Sequence, residues 1–342
     1  MSTSREYFVS RYTDLMSERV GGKALSCSDE WFAECENLVK HDEPIFRKGH
    51  FISQGQWMEG WESRRSVGRR ARQVSGLDHD WCMLRLGIPG VIHGVDIETT
   101  HFTGNAPEYA ALEGAWLEGS LSEHIDWFEL LPKSSTSADS HNIFAVDCDR
   151  PCTHLRLKIY PDGGVARLRT WGSATVLREN YVEGELVDLA SVMVGARGQQ
   201  CSDEFYSSPS NLLMPGPGTN MGDGWETRRR RDDGHDWCII KFGIPGTIRR
   251  VVVDTAYFKG NYPDHFSLEA TCSDAIDLQP EEASWQTVIA ETPLRADQEH
   301  IFIKQILCDP DQRFTHVRLN IFPDGGVSRI RIFGCPDWDA VA

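Results

Sequence analysis

The chain has 342 residues, with 35 Lys and Arg against 51 Asp and Glu and a formal charge of -16. That balance excludes nonspecific binding to nucleic acid or anionic membranes, because phosphate contacts rest on Lys and Arg. The basic run Arg228-Arg229-Arg230-Arg231 can hold a small anion locally but is too short to reverse the whole-chain charge.

Read from the start, Met1 to Glu6 lacks the apolar stretch of a secretory leader, and no apolar run reaches the roughly 18 residues of a membrane-spanning helix. A cytoplasmic protein is expected, with its ten cysteines reduced and mostly buried. Helical signals are weak, with one candidate near Ser28 to Val39. Thereafter the chain says nearly everything twice. Gly60-Trp61-Glu62-Ser63-Arg64-Arg65 returns as Gly224-Trp225-Glu226-Thr227-Arg228-Arg229, and His79-Asp80-Trp81-Cys82 as His235-Asp236-Trp237-Cys238. Gly87 to Gly90, Phe102 to Asn105 and Pro161 to Val165 return as Gly243 to Gly246, Phe258 to Asn261 and Pro323 to Val327. Cys27-Ser28-Asp29-Glu30 answers Cys201-Ser202-Asp203-Glu204. Two copies of one domain are therefore expected, residues 1–175 and 183–342, with Ser173 to Val182 as linker. The period is far above that of a solenoid.

Within each copy the pattern has period two. Leu155, Leu157 and Ile159 alternate with Arg156 and Lys158, and Val317, Leu319 and Ile321 with Arg318 and Asn320. This is the signature of strands with one buried face. Pro-Asp-Gly-Gly follows, then a second alternating run through Arg167-Leu168-Arg169 or Arg329-Ile330-Arg331, so a hairpin is expected. The fold class that fits is all-β: two tandem jelly-roll sandwiches resembling galactose-binding-like, discoidin-type domains.

Residues present in both copies stand apart from surface decoration. Arg64, Arg65, Arg228 and Arg229 offer planar forks for a carboxylate, or they form a solvated loop pairing with the neighbouring Glu62 and Glu226. His79-Asp80 and His235-Asp236 are candidates for acid–base work, for a metal site completed by His154/His316 or Glu98/Asp254, or for local turn bonding. His154, His316, His141 and His300 read as structural. Glu98/Asp254, Asn105/Asn261 and Glu113/Glu269 are duplicated polar positions beside apolar strands. Nucleotide-binding glycine motifs, a nucleophile elbow and a zinc-protease helix motif are missing, which opposes nucleotide cofactors and serine-hydrolase chemistry.

The copies differ most after the Trp-Glu motif, where 18 positions separate Trp61 from His79 but 10 separate Trp225 from His235. A surface loop is expected there. The tighter Asp223-Gly224 loop favours the second copy as the active one, whereas the basic Arg69-Arg70-Ala71-Arg72 loop covers a site if the first is active.

As an ordered, doubled set these motifs resemble the allantoicases over roughly residues 12 to 334. The resemblance implies a tandem jelly-roll fold and hydrolysis of the small molecule allantoate to ureidoglycolate and urea in purine degradation, with no nucleic-acid or membrane partner. It transfers no catalytic assignment. From the substrate's chemistry, Arg64/Arg65 or Arg228/Arg229 would bind its carboxylate, Glu62/Glu226 or Asp80/Asp236 would accept from its ureido groups, and a His–Asp pair would move protons. No cofactor is certain. A divalent metal and a homo-oligomer are left open, and a non-catalytic tandem module binding a small ligand or carbohydrate is the alternative function.

Overall fold

The alternating runs form antiparallel strands, as their one-sided apolar pattern requires. The computed structural model describes residues 4–66, 78–119, 125–275 and 277–340. The chain divides into two compact units, residues 1–175 and 176–342. Each is an all-β sandwich of jelly-roll type, with its core between sheets.

In the second unit the larger sheet has the order Arg197–Cys201, Asp236–Gly246, Phe314–Phe322, His265–Thr271, Gln286–Pro293. The facing sheet runs Val187–Asp188, Arg329–Gly334, Arg250–Asp254, Glu299–Phe302. In the first unit one strand, Asp80–Glu98, serves both layers. Its beginning pairs with Lys23–Cys27 and Cys152–Tyr160, and its end with Arg167–Ala174 and Ile143–Ala145. Leu155, Leu157 and Ile159 are buried, and so are Val317, Leu319 and Ile321.

Three expectations are corrected. Pro-Asp-Gly-Gly does not close a hairpin: Phe314–Phe322 pairs with the Asp236–Gly246 and His265–Thr271 strands, whereas Arg329–Gly334 pairs in the opposite sheet. Both runs carry an apolar face, and the turn sends the second across the core to face the first. The arginines of that second run do not alternate to solvent either. Arg167 is fully buried; its Nε donates to the Asp42 carbonyl at 2.9 Å and its Nη2 stands 3.1 Å from Glu59 Oε2. Arg329 is held likewise by the carbonyls of Gly216 and Asp223. A segment of chain lies over this face of the strand, and its carbonyls supply the acceptors that a buried guanidinium requires.

The helix expected near Ser28 to Val39 is only a short 3-10 turn, Cys35–Val39. Among the described residues the α-helix is Arg5–Arg11, started by Ser4 Oγ accepting from the Tyr7 amide. Its Phe8 ring stacks on Trp171 at 5.6 Å. Ser173 belongs to the Arg167–Ala174 strand, while Tyr181 packs on Trp338 at 5.1 Å. The stretch expected as linker is thus shared between the units.

Candidate functional site

Glu62 is placed by its neighbour. Trp61 is fully buried, its indole N–H donates to the Asp29 carbonyl at 2.8 Å, and the Trp61–Glu62 strand pairs with Gly164–Val165. The alternation of the strand then turns Glu62 to the other side, where it accepts a hydrogen bond from Asn105 Nδ2 at 2.7 Å. The Ser63 amide donates to the Gly163 carbonyl at 3.1 Å, and the Gly164 amide to the Asn105 carbonyl at 2.8 Å. The second repeat reproduces the set: Trp225 Nε1 to Asp203 O at 2.9 Å, Asn261 to Glu226, and Gly326 N to Asn261 O at 2.8 Å. Four motifs separated in sequence therefore meet at one place in each unit.

The paired arginines divide by role. Arg64 donates its amide and Nε to the two oxygens of Asp29 at 2.8 and 2.7 Å and lies over the Trp31 ring. Arg228 does the same with Asp203 and Phe205. Their forks are thus occupied internally, though both side chains remain exposed. Arg65 reaches the Pro-Asp-Gly-Gly turn and the Phe102 to Asn105 motif: Nη1 is 3.3 Å from Asp162 Oδ1 and Nη2 donates to the Gly104 carbonyl at 2.7 Å. Arg229 is exposed and makes no hydrogen bond or ion pair among the described residues.

In the first repeat Glu62 and Asn105 border a cavity of about 410 Å³, lined also by Phe32, Phe46, Met58, His101 and Asp139, with Gln56 and Thr103. Small-molecule sites commonly occupy about 300–1,000 Å³. Burial raises the Glu62 carboxyl above the usual carboxylate range, against the pull of the Asn105 bond and the Arg65 charge. His101 has a positive φ of 73° and its amide donates to Asp139 Oδ1 at 2.7 Å. Its Nε2 is 3.1 Å from the Pro44 carbonyl. A carbonyl only accepts, so Nε2 carries the proton and Nδ1 is the acceptor of the neutral ring. Tyr257 takes the same left-handed position in the second repeat, with φ 72°.

The expected His–Asp pairs are not brought together. His79 Nδ1 faces Asp78 at 3.0 Å and its ring packs on Tyr160. Asp80 is buried and accepts from Ser28 Oγ at 2.9 Å. His235 packs on Phe322, while Asp236, also buried, accepts from Ser202 Oγ and from Arg230 Nη1 at 2.8 and 2.7 Å. The two aspartates fasten the Cys-Ser-Asp-Glu segment to the sheet. The Arg69-Arg70-Ala71-Arg72 loop lies outside the described residues.

His154 and His316 are core residues, each with Nδ1 2.8 Å from the preceding threonine hydroxyl. Among the described residues, metal-type side chains gather at Cys27, Glu30 and Cys35 and at Glu43, Glu98 and His141, with ligand atoms within 4.8 Å of one another. Of the residues named for a metal, Glu98 belongs to such a group and His154 does not. His101 is not among the residues expected from the sequence, although it stands directly before the duplicated Phe102 motif. A filter that keeps duplicated polar residues discards it, because its counterpart is Tyr257.

Residues 13–175 and 187–337 match the family model of the allantoicase repeat. The chain is 42% identical over 332 residues to an allantoicase of Dictyostelium discoideum, covering 95% of this chain and 87% of that protein. It is 44% identical over 329 residues to a probable allantoicase of Pseudomonas aeruginosa, covering 95% and 96%. The crystal structure of Saccharomyces cerevisiae allantoicase superposes with a TM-score of 0.80 at 32% identity, covering 98% of this chain and 99% of that one. The doubled motifs, the tandem sandwiches and these matches agree, and the chain belongs to the allantoicase family.

Proposed function

We propose that this chain hydrolyses allantoate to ureidoglycolate and urea at the cavity of its first repeat. The observation that carries this placement is the convergence of Glu62, Asn105 and His101 on one cavity, with the Arg65 charge acting on Glu62 from beside it. Allantoate bears a carboxylate and two ureido groups on one carbon. Arg65, with Arg64 beside it, supplies positive charge for the carboxylate. Asn105 and Glu62 offer a donor and an acceptor for a ureido group.

Glu62, held towards its protonated form by burial, is suited to protonate the departing ureido nitrogen as the central C–N bond breaks. The remaining ureido nitrogen donates its lone pair, leaving an acyl-iminium carbon. Water adds to that carbon and gives a proton to His101 Nδ1. Ureidoglycolate and urea leave, and proton exchange with solvent resets both groups. The second repeat keeps Glu226 and Asn261 but has Tyr257 in place of the imidazole, so it retains binding chemistry without the base. His79-Asp80 and His235-Asp236 are not carried forward as proton-transfer pairs, because His79 faces Asp78, His235 packs on Phe322 and both aspartates bond to serine hydroxyls. We place the protein in the cytoplasm, where its ten free thiols stay reduced.

Urea release from allantoate by purified wild type, Glu62→Gln, His101→Phe and Glu226→Gln tests the placement. kcat is expected to fall about 10²- to 10⁴-fold for the first two variants and to stay near wild type for Glu226→Gln. Loss confined to Glu226→Gln would move the site to the second repeat. A protein that binds allantoate but releases no urea would instead be a tandem binding module.

A further inference from the structure

We infer that Glu43, Glu98 and His141 form a binding site for one divalent cation of the Mn²⁺ or Zn²⁺ type, present in the first repeat only. His141 Nδ1 is 2.6 Å from Asp96 Oδ2, a fully buried carboxylate. A carboxylate only accepts when ionised, so Nδ1 carries the proton and Nε2 is free to ligate. This carboxylate–imidazole arrangement orients metal-binding histidines. Nε2 then stands 4.0 Å from Glu98 Oε1, and the Glu43 ligand atom lies within 4.8 Å of both partners. Those spacings suit ligands on opposite or adjacent sides of an ion bound at about 2.0–2.2 Å.

The independent observation is an orphaned oxygen. Glu98 is 1% exposed. Thr100 Oγ1 donates to its Oε1 at 2.7 Å, but Oε2 is buried without a hydrogen-bond partner among the described residues. An ionised oxygen so placed is costly unless a cation satisfies it. Arg5 is the cation at hand: its Nη2 reaches Glu43 Oε1 at 3.2 Å and its Nε stands 4.0 Å from Asp96 Oδ2. It balances one of the three carboxylates and is not bonded to Glu98. Exposed Glu43 and half-exposed His141 leave the group open to solvent on one side, so an ion has a way in.

The donor set of one imidazole and two carboxylates, with no thiolate, favours Mn²⁺ or Zn²⁺ over Cu(I), and the imidazole disfavours Mg²⁺ and Ca²⁺. Among the described residues the second repeat lacks the set: Val252, paired with Ile301, takes the place of Asp96, paired with Ile143, so no carboxylate stands there to orient an imidazole. All three ligand-bearing segments continue into the cavity wall, through Pro44 and Phe46, His101, and Asp139.

The full chain, stripped with chelator and dialysed, is titrated with Mn²⁺ by electron paramagnetic resonance and with Co²⁺ by visible absorption. One ion per chain is expected, with Co²⁺ d–d bands and no thiolate charge-transfer band. His141→Ala and Glu43→Gln, both at accessible side chains, should weaken binding at least tenfold, and Asp96→Asn about 10- to 100-fold. Cys35→Ser should leave it unchanged. No stoichiometric binding, or binding that survives His141→Ala and Glu43→Gln, overturns the site. A thiolate band lost in Cys35→Ser also overturns it, placing the ion at Cys27, Glu30 and Cys35.

Discussion

At the scale of single residues, the duplicated polar groups sort into fasteners and groups facing the cavity, and burial separates them. Asp80 and Asp236 hold serine hydroxyls inside the fold, Asp236 together with Arg230, whereas Glu62 stands at the cavity with its carboxyl raised by burial. His316 shows the same physics acting on stability. It is fully buried, and burial, with Lys241 and Arg197 nearby, lowers it to about 4 from 6.5. Its Nε2 has no partner among the described residues, so a proton there would be a buried, unpaired charge. A depressed histidine contributes stability that is complete above pH 6.5 and lost as pH falls towards 4. This residue alone should cost on the order of 3 kcal/mol between pH 7 and pH 4. Urea denaturation of wild type and His316→Gln at both pH values checks it: the difference between the two pH values should shrink in the variant.

At the scale of elements, the Pro-Asp-Gly-Gly turn carries both fold and site. Gly163 has φ +133° and Gly325 φ +131°, a region that side chains other than glycine rarely adopt. A Cβ at Gly164 would sit 2.0 Å from the Phe102 ring, so the turn packs directly on the motif that supplies Asn105. Next to it, buried Arg167 ties the strand to the Asp42 carbonyl and to Glu59. Replacing Arg167 by Met removes the donor to the buried Asp42 carbonyl and leaves Glu59 to Lys40 and the Ile45 amide. A loss of roughly 1–3 kcal/mol is expected, read as a lower Tm together with faster proteolysis between residues 40 and 59. Unchanged Tm and unchanged proteolysis would show that the covering segment is held by other contacts. Alternation predicted these strands, but it could not show that the second face of Arg167–Ala174 is also covered. A charged residue in a period-two pattern reads as solvent-facing until the covering segment and its carbonyls are seen.

At the scale of the whole molecule, each unit has its own sheets and its own buried aromatic residues, Trp61 and Phe102 in one and Trp225 and Phe258 in the other. Each is also of a length that buries about two-thirds of its unfolded surface. Residues 176–342 expressed alone should therefore unfold cooperatively, with coincident transitions by circular dichroism and tryptophan fluorescence. Non-coincident transitions would show that the unit needs the rest of the chain. By itself, the sequence determined the duplication, the all-β class and the family, because those rest on repeated motifs and on the period of apolar residues, both local properties of the chain. It also named Glu62, Arg65 and Asn105 as repeated polar positions. Only the tertiary structure decided which polar groups meet. It gave Asp80 to Ser28, Arg64 to Asp29 and Arg65 to the Asp162 carboxylate and the Gly104 carbonyl, and it brought unduplicated His101 to the cavity beside Glu62. Hydrogen-bond partners in these sandwiches lie tens of residues apart, and a side chain's chemistry follows from the partner and the burial it receives.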